Sequence, residues 1–367
     1  MTAPLIPVKT IPGRAKKGVS LRKGVQFLFL TITLFLGIKF YLFVAQLGSG
    51  AMPTLERPPG VEAFLPISAL VSLKYFLFTG IFNRVHPSAL VLFLIICATA
   101  LVVKKGFCSW ICPLGLVSDF LAKLNGYFFK RRWDVPPWAD FFLRTLKYSV
   151  AGFFVWSIFF KMPVAAIEQF IQSPYNTFAD IKMLEFFTKI SITSFWVITA
   201  LLVLSVLIKH FWCRYLCPYG SILGVLGFLS MGKIQRNNEN CIKCGNCESV
   251  CPGKISLMDK GRVHSLECSA CLGCVDVCPS KNAIGFSLFS GRMILNQKKI
   301  ALVLIVFFMG GITIAKGTGH WQNNTSVQAY RQHVLFGRMP ERIPAKMDPE
   351  KMRRMIEKMR RQMPPPQ

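Results

Sequence analysis

The sequence predicts a mostly α-helical membrane protein. It should have about five transmembrane helices, one re-entrant or interfacial segment, and a small cysteine-rich α+β module on the cytoplasmic side. Three observations predict this. Of 367 residues, 52% are hydrophobic and only 17% charged, with a mean hydropathy of +0.43, a balance that belongs to membrane chains. Apolar runs near the roughly 20 residues that a bilayer core requires recur at 25–47, 87–103, 145–162, 190–210 and 299–315. Twelve of the 13 cysteines fall in short motifs, too tightly spaced for a dispersed disulfide framework.

Charge orients the chain. The net charge is +27, from 44 Lys and Arg against 17 Asp and Glu. The basic residues flank apolar segments, so membrane lipid is the expected partner and nucleic acid is not. Residues 1–24 hold six basic and no acidic residues and read as a cytoplasmic N-terminus. No small-x-small cleavage site follows, so the first helix is expected to remain in place. Loop 104–147, with eight basic and three acidic residues, reads as cytoplasmic, as do residues 211–298. Loops 48–86 and 161–189 are nearly balanced and read as external. Segment 61–82 is apolar too, but a crossing there would reverse the charge rule, so it is expected to be re-entrant or interfacial. Its Lys74 would face protein, headgroups or a cavity, while Arg144 and Lys147 would snorkel to the interface. The resulting division is a basic N-terminus (1–24), a membrane domain (25–232), a cysteine-rich module (233–290), a last transmembrane helix (299–315) and a basic, Met-rich tail (316–367). That tail falls on the periplasmic side, against the charge rule.

The runs "CIKCGNCESVCPGK" and "CSACLGCVDVCPSK" each read C-x2-C-x2-C-x3-C-P. This is the two-cluster bacterial ferredoxin signature, in which the fourth cysteine of each run ligates the other [4Fe–4S] cluster. Cys241, Cys244, Cys247 and Cys278 form the first set; Cys268, Cys271, Cys274 and Cys251 form the second. Small residues at Gly245, Ala270 and Gly273 let backbone N–H groups approach the sulfides. A pair of zinc sites is the competing reading. Thiolates must stay reduced to hold iron, which also favours the cytoplasm.

Two further pairs, in "KGFCSWICPLGL" and "HFWCRYLCPYGS", share C-x3-C-P-x-G 105 residues apart, each after an apolar run. On an α-helix both sulfurs of a pair would share one face. Pro113 and Pro218 would end that helix, and Gly115 and Gly220 would supply the turn. Cys108, Cys112, Cys213 and Cys217 therefore build a further iron–sulfur centre at the membrane edge, or they are redox-active or buried thiol pairs. Phe107, Trp110, Phe211, Trp212, Tyr215 and Tyr219 crowd the motifs as interface anchors, with contact to a quinone ring the alternative.

Other positions carry weaker signals. Cys97 reads as an inert packed thiol. Lys39, Lys74, Arg84, His86 and Glu168 fall on the outer side, where a quinol would release protons. His210 marks the interface or tunes a cofactor. Met352, Met355, Met359 and Met363 suit amphipathic docking, or a copper(I) site. No C-x-x-C-H occurs, so no covalent haem is expected.

Paired C-x3-C-P motifs on apolar spans, followed by the ferredoxin runs, resemble the membrane-bound polyferredoxins of the NapH/NosR type over residues 25–315. The resemblance implies an inner-membrane electron-transfer subunit, drawing on the quinone pool and serving a periplasmic or membrane-anchored cytochrome or reductase. "EAFLP" has Leu65 where relatives often carry cysteine, and the flavin-binding region of the NosR branch is missing. A related branch implies a second function, reduction of copper or another metal during assembly of an oxidoreductase.

Overall fold

The computed structural model describes residues 21–49, 53–128, 135–289 and 293–336. Most of the basic N-terminus and the four tail methionines lie outside these. Helix α1 (Leu21–Gly48, 28 residues) and α14 (Gln297–Gly317, 21 residues) are long and apolar enough to cross a bilayer. Two bent pairs bring the number of candidate spans to four at most. One is α6 (Pro137–Trp156), continued by a π-turn at Ser157–Lys161, with α7 (Val164–Gln172) at 112°. The other is α9 (Ala179–Thr188) with α10 (Ile192–Leu207) at 78°. Pro163 forces the first bend by stopping one hydrogen-bond ladder and starting the next; the Ser191 side chain caps α10 at the second.

A helix stands at each of the five expected places. However, α3 (Pro87–Val103) has 17 residues and α10 has 16, each short of a bilayer-spanning length on its own. Helix α2 (Pro66–Thr79) doubles back. The turn before it, Pro59–Phe64, and the loop after it both meet the end of the bundle remote from the cysteine motifs. There Ser88 at the start of α3 donates to Pro59 O at 2.8 Å, and Asn324 N, beyond α14, donates to Arg84 O at 3.1 Å. Short helices α4 (Gly106–Trp110), α5 (Pro113–Phe128), α8 (Pro174–Thr177) and α11 (Pro218–Phe228) complete the bundle, and α15 (Val327–Phe336) returns to pack on α1.

The module is a three-stranded antiparallel sheet in the order β1 (Lys233–Arg236), β2 (Ile284–Leu288), β3 (Met293–Leu295), with the one-turn helices α12 (Asn246–Ser249) and α13 (Gly273–Asp276). The sheet runs past residue 290, where the sequence reading ends the module. Pairing places Phe286 opposite Ile234 and Leu295, and the three join Val103, Trp110, Leu223, Ile300 and Leu304 in one core. The apolar centre is thus continuous from module to bundle. At the crossing from α11 to β1, Gly232 N donates to Val102 O at 3.1 Å. A Cβ at Gly232 would lie 2.4 Å from the Phe286 ring and 2.5 Å from Val102 O, so only glycine fits there.

Candidate metal centres

In both C-x3-C-P motifs the chain leaves the α-helical path. The N–H of the second cysteine reaches back five residues, Cys112 to Phe107 O and Cys217 to Trp212 O, each at 2.9 Å. The second lies in a π-turn at Trp212–Leu216. Such widened turns are frequent at functional sites because they re-aim side chains. The four-residue spacing therefore serves a wide turn, correcting the α-helical expectation. Pro113 and Pro218 are the first residues of α5 and α11, where a missing N–H goes unnoticed. Gly115 and Gly220 do not make the turn either. A Cβ on Gly115 would sit 2.1 Å from Cys108 O. Gly220 N donates to Cys217 Sγ at 3.4 Å.

The two motifs converge. Ser118, on the α5 that follows the first motif, lies 3.3 Å from Cys213 Sγ of the second. Ionisation of Cys112, Cys217 or Cys213 would raise the Cys108 thiol further, so all four lie within one another's field. Burial pushes the thiols of Cys112 and Cys213 up to about 11 and about 12. Bare, they are neutral; four thiolates there need a strongly positive partner, which a metal cluster supplies.

The module presents two cavities. One is lined by Cys241, Cys244, Cys247 and Cys278; the other by Cys251, Cys268, Cys271 and Cys274. Cys278 of the second run thus lies with three cysteines of the first, and Cys251 of the first run with three of the second. Equivalent residues of the two runs, Lys243 with Gly245 and Ala270 with Leu272, take positive φ (55°, 76°, 50° and 59°). That alternation turns successive N–H groups inward, as an anionic group requires. Among the described residues no three His, Cys, Asp or Glu side chains close on a single-ion point. Each cavity brings four cysteines and no histidine, a donor set that fits an iron–sulfur group.

The module is seated on the same end of the bundle by a buried carboxylate. Glu267 accepts from Lys147 Nζ at 2.7 Å, Lys105 Nζ at 3.1 Å and Tyr148 OH at 2.8 Å. Burial alone would raise its carboxyl, but the two ammonium groups more than offset this and hold it near 2. Lys147 is fully buried and does not snorkel; Arg144 NH2 likewise donates inward, to Gly253 O at 3.1 Å. The crowding aromatics serve protein contacts. Tyr219 packs on Phe93 and Phe107, and Tyr215 joins Arg214 on Asp140. His210 Nε2 faces Asp119 at 3.6 Å rather than a cysteine.

At the opposite end, two of the five outer candidates are buried. Lys74 Nζ donates to the carbonyls of Ile158, Phe159 and Met162 at 3.1, 2.9 and 2.5 Å, closing the π-turn after α6. His86 bonds Glu62 Oε1 at 3.2 Å and Asn176 O at 2.6 Å. Arg57 links Glu62 (2.9 Å) to Asp180 (2.6 Å), and Tyr330 OH donates to Asp180 at 3.1 Å. Arg84 and Glu168 are exposed and Lys39 is half-buried. Sequence reasoning missed Arg57, Glu62 and Asp180, although a charged residue in the apolar stretch "VEAFLP" was a usable signal.

A family model described as a 4Fe-4S binding domain matches residues 85–136 and again 191–237, one match per C-x3-C-P motif; a 4Fe-4S dicluster domain matches 233–279. YccM of Escherichia coli K12, named provisionally as an electron transport protein, is 37% identical over 85% of this chain and 89% of its own length. This chain belongs to the same family, that of the NapH-type polyferredoxins. The ferredoxin-type protein NapH of Haemophilus influenzae is 29% identical over 45% of this polyferredoxin and 55% of its own length. The methylamine utilization ferredoxin-type protein MauN of Paracoccus denitrificans is 26% identical over 41% and 50%. The chain thus spans about half the length of those two relatives. No solved structure matches.

Proposed function

We propose that this chain is an inner-membrane electron-transfer subunit that links quinol oxidation to a periplasmic or membrane-anchored cytochrome or reductase. The observation that carries the reading is the gathering of the motif cysteines at one end of an apolar bundle, eight around the two module cavities and the two C-x3-C-P motifs against each other through Ser118 and Cys213. Cys241, Cys244, Cys247 and Cys278 hold one [4Fe–4S] cluster, Cys268, Cys271, Cys274 and Cys251 a second, and Cys108, Cys112, Cys213 and Cys217 a further iron–sulfur centre. When bound, such groups take up and release single electrons. Quinol gives up two electrons and two protons as it becomes quinone, so centres in series pass its electrons on singly. The chain's own part is to hold the thiolates, exclude water and keep the centres in a fixed order. The basic loop 104–147 supports a cytoplasmic module, and α15, at the far end, a periplasmic tail.

The test is anaerobic analysis of iron and acid-labile sulfide, with reduction by a quinol analogue. Two ferredoxin clusters account for about eight irons per chain. The native protein should hold more and bleach with the quinol. Changing Cys108, Cys112, Cys213 and Cys217 to serine should return it to about eight. Failure of any quinol to reduce the iron, alone or in native membranes, would sink the quinol link.

A further inference from the structure

Three hydrogen bonds join the C-x3-C-P motifs to the module, and each lies within two residues of a cysteine at both ends. Ser109, after Cys108, donates from Oγ to Ser269 O at 2.6 Å, and Ser269 follows Cys268. Trp110, between Cys108 and Cys112, donates from Nε1 to Ala270 O at 3.1 Å, between Cys268 and Cys271. Arg214, after Cys213, donates to Pro252 O at 3.0 Å, and Pro252 follows Cys251. Both motifs of the membrane repeat thus reach loops of one cysteine set, the second, from two directions. Trp110 has no exposed surface. Arg22 Nε and Gln26 Nε2 brace the junction by donating to Ser109 O at 2.8 and 2.9 Å. The first set lies elsewhere. None of the three bonds reaches its loops, and Ile242, beside Cys241, is 57% exposed.

We propose that the site of Cys251, Cys268, Cys271 and Cys274 is the module's junction with the four-cysteine site at the membrane edge, that Ser109, Trp110 and Arg214 are its positioning residues, and that the site of Cys241, Cys244, Cys247 and Cys278 is the station remote from that junction. This rests on the reading above that all three sets hold clusters. Each transfer across the junction moves one electron, one centre being oxidised as the next is reduced. Hydrogen bonds between the two loops keep the separation fixed, as any relay with a defined order requires.

The experiment uses the full chain, purified anaerobically and reduced with dithionite. It combines iron analysis with pulsed-EPR relaxation of the membrane-edge centre, which reports its nearest paramagnetic neighbour. Fast relaxation should be lost in Cys271→Ser and kept in Cys244→Ser. The paired change Ser109→Ala with Trp110→Phe should leave iron content intact and weaken the relaxation enhancement several-fold; Ser109→Thr, retaining a hydroxyl, should restore it beside native Trp110. Loss of the enhancement in Cys244→Ser instead, or its indifference to the paired change, would overturn the order. If Cys271→Ser strips all iron from the module, the paired change decides alone. Native iron no higher than in the four-serine variant would mark a different failure, that of the reading beneath, and this order would fall with it.

Discussion

Gly115 and Gly220 occupy the same place in the repeat, yet a Cβ would meet Cys108 O at 2.1 Å in one and Cys213 O at 3.6 Å in the other. Gly115→Ala should therefore disrupt the four-cysteine site, lowering iron by about four atoms per chain, while Gly220→Ala keeps it. Iron analysis of the two variants checks the asymmetry. At the far end, His86 offers both ring N–H groups, to the Glu62 carboxylate and to Asn176 O. Burial alone would lower its pKa, but those partners raise it above the ordinary 6.5. A raised value means that the imidazolium stabilises the fold fully below about 6.5 and that this contribution fades as pH rises through the raised value. Thermal unfolding followed upward from neutral pH should show the loss, and His86→Gln should flatten that slope. Glu62→Ala, which takes from His86 the carboxylate it bonds and leaves Arg57 with Asp180 alone, should cost about 3 kcal/mol. No periodicity could have exposed this group, because Arg57 and Asp180 are 123 residues apart in the chain and meet only through packing.

Among the elements, what was legible was local. The ferredoxin runs were legible as motifs, since that spacing encodes a loop wrapped around a cluster, and in the structure Cys278 and Cys251 each line the cavity of the other run's cysteines. The C-x3-C-P turns were legible as a repeat but not in their geometry. A cysteine four residues on suits an α-turn and a π-turn alike; only the reach of Cys112 and Cys217 back to Phe107 and Trp212 separates them. Span lengths misled for a related reason: hydropathy counts apolar residues and ignores the bends that Pro163 and Ser191 impose. Lys74 illustrates the cost of reading charge without partners. Its three carbonyl acceptors make it a cap on the turn after α6, so Lys74→Met should lower the melting temperature through about 1–3 kcal/mol of lost hydrogen bonding. Reduction of the centres by quinol should be unchanged in that variant once folded; a selective loss of reduction would return Lys74 to proton transfer.

For the molecule as a whole, the seating of the module on the bundle decides function, and it was the least legible feature. Lys147 looked like a snorkelling residue because its partner, Glu267, lies 120 positions away in a different module. Glu267→Ala would leave Lys147 and Lys105 buried without their anion, at a cost of about 3–5 kcal/mol. Hydrogen exchange should then rise across residues 265–270 and the junction loops, with the β1–β2–β3 sheet still protected. Equal protection before and after would show that the apolar core between module and bundle suffices by itself.

The exchanged cysteines also bear on how the protein is made. Neither module cavity is complete until Cys268 to Cys278 have left the ribosome, because each borrows a ligand position from the other run. Cys108 and Cys112 wait still longer for theirs. Their partners emerge about a hundred residues later, a delay of roughly 5–20 s at ordinary rates of synthesis. With the three sets filled as proposed, iron delivery to this chain would be a late event, and the unfilled thiols of the first hairpin would have to be kept from oxidation while the second is still being inserted.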